Sequence, residues 1–212
     1  MTNGCSTVSR IDAPAAPRRP AHRPSRRHTV VDGAMGLFAT MPVDEVTVQD
    51  IASAVEMTSA AVYYHFASKE QILLEGLQKF CDKLLDQVRA LMPEVGDSAG
   101  VRSLMTHLIS WTGKHRTEAT VYFVSSIGLN LVVEAVRRET RLELVELLRV
   151  AVRSARGQTS RAEAGVMAVA LVSLFETSVA SMLNQDASFR SLGHRRFGHE
   201  VGRLADRITG LA

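Results

Sequence analysis

Between Thr58 and Lys69 the chain places hydroxyls (Thr58, Ser59), two phenols (Tyr63, Tyr64), an imidazole (His65) and an ammonium, with two small side chains, Ala60 and Ala61, among them. These groups donate hydrogen bonds to an anionic backbone or lie flat against one. They do not make a nucleophile with its base. The chain has no Ser/His/Asp or Cys/His set at a motif spacing and no phosphate-binding Gly loop, so no catalytic residue is assigned. His194 and His199 lie five apart, off a single helical face, and His107 and His115 lie eight apart, so no metal site or cofactor is assigned either. Cys5 and Cys81 are far apart with no CxxC partner, which argues against a disulfide or a zinc site. Cys81 reads as a plain helix-lining cysteine.

Short helices joined by tight turns must carry these groups. Thr47 can cap a helix, with Asp50 at the position that completes a capping box, and Ile51, Ala52 and Val55 follow at helical spacing. Thr58 and Ser59 offer a second N-cap before Ala60-Ala61-Val62-Tyr63. Ser68 starts a third helix, with Gln71 as its capping partner. Ala52, Ala61 and Val62 are compact enough for two helices to cross closely. Two capped starts about a short turn form a helix-turn-helix, the arrangement that presents a recognition helix to a DNA major groove.

Residues 27–75 resemble the DNA-binding domain of the TetR family of transcriptional regulators. The resemblance rests on Val30, Val31, Ala34, Leu37 and Phe38, on Thr47, Val48, Ile51 and Ala52, and on Ser59 with Val62-Tyr63-Tyr64-His65-Phe66, Ser68-Lys69-Glu70 and Leu73. It covers the first third of the folded chain; the remainder is similar in length and helical character only. It implies DNA-facing roles for Thr47, Thr58, Ser59, Ala60, Ala61, Tyr63, Tyr64, His65 and Lys69. Thr47 and Thr58 suit phosphate oxygens, the two tyrosines and His65 clamp the backbone, Lys69 pairs with a phosphate, and Ser59, Ala60 and Ala61 enter the groove. Either Tyr63 or Tyr64 could instead pack the core; Phe66 is a core residue. Two departures concern turns. Glu56 stands where the family often has Gly, so a differently built turn is expected. Met41-Pro42 replaces a Gly after the first helix, and Pro42 should stop that helix by biasing Met41 away from helical angles. The recognition helix lacks Arg, Asn and Gln, the usual bidentate base readers, so specificity should lean on shape, methyl contacts and the N-terminal arm.

The formal net charge of +3 hides an asymmetry. Residues 1–31 carry six Arg against Asp12 alone, a net of +5, while residues 32–80 carry a net of −5. An acidic helix-turn-helix needs positive charge from elsewhere, and the basic arm can supply it through counterion release or by entering a minor groove. A solvated tail is the equally open reading. Residues 1–24, rich in Pro, Ala and Arg, are expected to be disordered. The composition, 46% hydrophobic but only 5% aromatic, allows a good core. No apolar stretch is read as long enough to span a membrane and no secretory segment follows the N-terminus, so no membrane association and a cytoplasmic location are expected.

The fold class expected is all-α: a disordered basic arm (1–24), a three-helix helix-turn-helix DNA-binding domain (25–67), and a helical ligand-binding and dimerisation domain (68–212) joined through a connecting helix (68–92). Pro93, Gly96 and Gly100 mark the break after that helix. Further helices are expected at 98–113, 115–126, 128–156, 160–184 and 188–209, with no strands. Segment 160–184 is apolar around most of its circumference and carries the small residues Ala170, Ser173, Thr177 and Ser181. Segment 188–209 continues into Phe197, Val201, Leu204, Ile208 and Leu211 at helical spacing. The resemblance implies that these two helices pair with their copies in a homodimer, which suits a palindromic double-stranded DNA site; the sequence alone also allows their burial within one subunit. The resemblance further implies a small-molecule site. Its candidate lining is Met105, His107, Trp111, Tyr122, Phe123, Ser126, Asn130 and Phe175, a mostly apolar set suited to a hydrophobic or amphipathic ligand. The function expected is a repressor released from DNA by that ligand. A ligand-independent or activating regulator remains an alternative, and an α-helical enzyme is the more distant one.

Overall fold

The computed structural model describes residues 26–92 and 98–210. The arm 1–24 with its four prolines and arginine-rich runs, Ser25, Cys5, Pro93, Gly96 and Leu211 lie outside the described residues. Every regular element among the described residues is helical.

Helix α1 (Arg26–Phe38) packs on α4 (Lys69–Leu91) and α2 (Val48–Ala54), and α3 (Ser59–His65) crosses α2. Their shared core joins Val30, Val31, Ala34 and Phe38 of α1 to Ile51, Val62, Phe66 and Leu73. Each large apolar side chain removed from water here is worth about 1.5–3 kcal/mol, which offsets the low helix propensity of Gly33 and Gly36. Gly33 has a second role. A Cβ there would stand 2.3 Å from Cγ1 of Val55, so the glycine lets α1 approach the turn between α2 and α3. That turn is built around Glu56 at φ 53, with Met57 N–H donating to the Ala52 carbonyl at 2.9 Å. The expected departure in turn geometry is therefore absent: Glu56 takes the left-handed conformation that Gly would take, at a cost of about 1–2 kcal/mol. Helix α1 also ends earlier than Pro42 requires. It stops at Phe38, where Thr40 Oγ1 donates to the carbonyls of Gly36 and Leu37.

Helix α4 runs on into the second half, where α5 (Ser98–Lys114), α7 (Leu131–Arg156), α8 (Arg161–Leu183) and α9 (Ala187–Thr209) pack together. Between α5 and α7, α6 (Arg116–Thr120) passes into one π-helical turn, Val121–Ser125, closed by Ser126 N–H on the Val121 carbonyl at 3.0 Å. The single helix expected at 115–126 thus changes its winding midway. Asn130 Oδ1 accepts from the N–H groups of Val132 and Val133, which starts α7 at Leu131 rather than at 128.

Helix α8 is the central helix of this half. Leu171, Val172, Phe175 and Val179 are buried, and α7, α9 and α5 surround it. By length and composition α8 could cross a membrane, with a mean hydropathy of 1.9, so the expectation that no stretch is long and apolar enough is corrected; 44% of that window is buried in the fold. Helix α9 is interrupted at Gly193 (φ 71, ψ 166). Of its apolar stripe, Phe197 and Val201 are buried within the subunit and Ile208 is half-buried, with α5 the main neighbour of α9, while Leu204 is 44% exposed. Arg102 of α5 pairs with the buried Asp206 of α9.

Candidate nucleic-acid interface and ligand pocket

The capping pattern read from the sequence sets the α2–α3 surface. Thr47 and Asp50 form a complete capping box: Asp50 N–H donates to Thr47 Oγ1, while the Thr47 N–H and hydroxyl donate to Asp50 Oδ2 at 2.9 and 2.6 Å. Those bonds hold the Asp50 carboxyl below its ordinary range, Thr47's hydroxyl first. They also commit the Thr47 proton, so Thr47 does not offer the phosphate the free hydroxyl expected of it. Thr58 caps α3 by accepting from Ala61 N–H and keeps its own proton. Ser59 donates to Gln49 Oε1 at 2.7 Å, locking α3 to α2.

Along α3 only Val62 is fully buried, and Ala60 is exposed. Tyr63 and Tyr64 are 56% and 86% exposed, so neither packs the core; Phe66, just beyond, is buried. Tyr64 meets His65 edge-on at 5.1 Å between ring centroids. Large aromatic surface left in water at a helix end has no role in this subunit's packing.

Lys69 departs from expectation. Its Nζ donates to three backbone carbonyls, Val43 at 2.9 Å, Asp44 at 2.8 Å and Val46 at 2.8 Å. An ammonium has three protons, and all are used in fixing the loop ahead of α2. Lys69 therefore positions the α2 start instead of standing ready for a phosphate. Sequence reading also missed Arg27. Its guanidinium donates to Glu75 and to the His65 carbonyl and lies 4.0 Å from the Phe66 ring centroid. Arg27, counted with the arm's positive charge, instead clamps the end of α3 between α1 and α4. Only its place one residue inside α1 hinted at this.

The second half holds a pocket of about 510 Å³ between the π turn, α7 and α8. Tyr122 and Phe123 line it, as expected, together with Ile127 and Ala180. The other expected lining residues lie elsewhere. Met105, Trp111 and Phe175 are buried in the core, where Phe123 contacts Phe175 edge-on and Phe80 lies between Trp111 and Tyr122. His107 is on the surface beside Gln87, and Asn130 is spent as the α7 cap. Ser126 is buried with its Oγ unpartnered, behind the π turn. Glu134, Arg137, Arg138, Arg141, Glu176 and Thr177 complete its wall, so charged groups stand beside a pocket surface that is mostly apolar, as expected. The candidate lining drawn from the resemblance named the aromatics but not the arginines, because the arginines sit on the polar face of an ordinary amphipathic α7. Burial pushes the Tyr122 phenol well up, and it raises the Cys81 thiol to about 11, so both are neutral at pH 7. Among the described residues no cluster of side chains could hold a metal ion.

Residues 30–75 match the sequence profile of "Bacterial regulatory proteins, tetR family". The chain is 36% identical over 80 residues to the HTH-type transcriptional repressor KstR2 of Mycolicibacterium smegmatis, a match that spans only 38% of either chain. Among solved structures it is similar to the fatty acid degradation regulator FadR of Bacillus halodurans (TM-score 0.72, 15% identity, 90% of this chain and 97% of that one). It is also similar to a TetR-family transcriptional regulator of Bordetella parapertussis (TM-score 0.69, 19% identity, 86% and 95%). At these identities the structural likeness speaks for the fold.

Proposed function

Because the chain belongs to the TetR family of bacterial regulatory proteins, whose members are DNA-binding regulators and not enzymes, we propose that it is a transcriptional repressor that binds a palindromic DNA site as a homodimer and leaves it when a small molecule binds. The observation that carries this reading is the pair Tyr63 and Tyr64, held in water at the end of α3, while Arg27 holds the end of α3 and Lys69 and the Thr47–Asp50 box fix the start of α2 beside it. Thr58, Ser59, Ala60, Ala61, Tyr63, Tyr64 and His65 form the DNA face, with Ala60 and Ala61 against base edges and the tyrosines on the backbone. Residues 26–66 act as the DNA-binding unit, α4 connects it to the rest, and the second half senses the ligand. The site of action is the cytoplasm, where bacterial DNA lies.

A second copy is favoured by α8. Val166 is 72% and Val169 46% exposed, on the stretch of α8 that runs up to the small, exposed Ser173 before Thr177 enters the pocket wall. Small residues on that face let a partner helix approach closely, and Leu204 of α9, 44% exposed, adds to it. A twofold pair would set two α3 helices for successive turns of a palindrome. The ligand would act by favouring a separation of the two α3 helices that no longer matches the groove spacing.

The experiment is selection from a random duplex pool with the full chain. Enrichment of a twofold-symmetric sequence supports the reading; a pool that stays random after repeated rounds contradicts it.

A further inference from the structure

The charge on the pocket wall narrows what the pocket can take. Three arginines face two glutamates. Arg137 pairs with Glu134 at 3.5 Å, and Arg141 pairs with Glu176 and donates to Ser173 at 3.0 Å. Arg138 has no ion-pair partner among the described residues and is the surplus charge. Opposite stand apolar surfaces of Tyr122, Phe123, Ile127 and Ala180. Arg138 is exposed at the pocket rim, so a neutral ligand laid against it would leave its charge answered by water alone. An anionic head group answers the charge, and the guanidinium fork matches its oxygens.

We infer that the pocket between the π turn, α7 and α8 binds an amphipathic anion, a carboxylate- or phosphate-type head on an apolar body. The inference rests on the reading of the chain as a ligand-responsive regulator and names the class of its ligand. The head lies on Arg138 and draws in Arg137 and Arg141; the apolar body lies on Tyr122, Phe123 and Ile127.

The same charges reach toward the DNA-binding half. Arg137 donates to the Tyr122 carbonyl within the π turn and covers the Tyr122 ring at 4.7 Å. Its partner Glu134 accepts from Gly128 N–H at 2.8 Å. Segment 122–128 is thus held at both ends by one ion pair of the pocket. Immediately beyond it, Leu129 and Asn130 line a cleft of about 70 Å³ with Val43, Asp44 and Lys69, the loop that sets the start of α2. An anion on Arg137 competes with Glu134 and the Tyr122 carbonyl, and so loosens the segment that touches this loop. π turns often occur at such functional points, and the unpartnered Ser126 Oγ marks this one as already under-satisfied.

The test compares sodium decanoate and decyl phosphate with decan-1-ol by calorimetric titration of the full chain, with Trp111 fluorescence as the second reading. Trp111 is the only tryptophan and reaches the Tyr122 wall through Phe80. At least one anion should bind about tenfold or more tighter than the alcohol. Which of the two anions binds identifies the head group. Arg138→Gln should erase the preference and Arg138→Lys should keep most of it, with circular dichroism confirming the fold of each. Equal binding of alcohol and anions, no binding of either anion, or a preference that survives Arg138→Gln overturns the inference. The same preparations are tested on the selected duplex. Intact DNA binding without an anion preference sinks this inference alone; an anion preference without DNA binding sinks the proposed function alone.

Discussion

Arg27 and Lys69 do their work on backbone carbonyls. Arg27 holds the His65 carbonyl and Glu75, and Lys69 holds three carbonyls before α2. Arg27→Ala should cost about 1–2 kcal/mol, since water still reaches the pair, as a lowered denaturation midpoint in urea. The Arg27–Glu75 contact also sets a pH dependence. Burial alone would raise the Glu75 carboxyl, but hydrogen bonds and charge from Arg27 and Lys79 outweigh it and hold the group below the ordinary glutamate range. A depressed carboxyl stabilises the fold above its unfolded-state value and loses that contribution as pH falls through its folded-state value. The destabilisation caused by Glu75→Gln should therefore be complete at pH 7 and vanish in acid. Equal destabilisation at pH 7 and at pH 3 would show that Glu75 acts through packing and not through charge. These two cations also show where sequence reading stops. Lys69 stands in a recognisable motif, yet the carbonyls that take its protons lie 23–26 residues away. No periodicity encodes such a partner.

Among the elements, the caps and apolar faces were the most legible, because they are local. The Thr47–Asp50 box, the Thr58 and Ser68 caps and the buried face of α1 follow from spacing. Glycines and winding changes were less so. Gly33 reads as a weak spot in a helix but is the space that Val55 fills. Gly33→Ala should raise intrinsic helix propensity yet lower the thermal midpoint, because Val55 and the α2–α3 turn must move; a raised midpoint would show that the contact yields easily. The π turn at Val121–Ser125 carries no sequence signature that separates it from α-helix, and it places Tyr122 and Phe123 on the pocket. The arginine wall was hidden for a different reason: charged residues on an amphipathic helix read as a solvated face until a neighbouring helix closes over them.

At the scale of the whole molecule, two proposed long-range arrangements carry the account: a second subunit on α8 and a recognition surface on α3. The apolar stripe of α9 is mostly consumed inside the subunit, which leaves α8 as the larger uncovered apolar face. Val166→Asp should convert a dimer to a monomer in sedimentation and weaken binding to a twofold DNA site much more than to a half-site; an unchanged dimer would move the interface elsewhere. The central claim is that the exposed tyrosines of α3 meet DNA. The most direct measurement is the affinity of Tyr64→Ala for the selected duplex, beside its thermal midpoint. Tyr64 is 86% exposed, so the midpoint should stay within about 1 °C, while affinity falls about tenfold or more. Unchanged affinity at an unchanged midpoint would contradict the account, because it would leave the most exposed aromatic surface of the helix-turn-helix without a part in binding DNA.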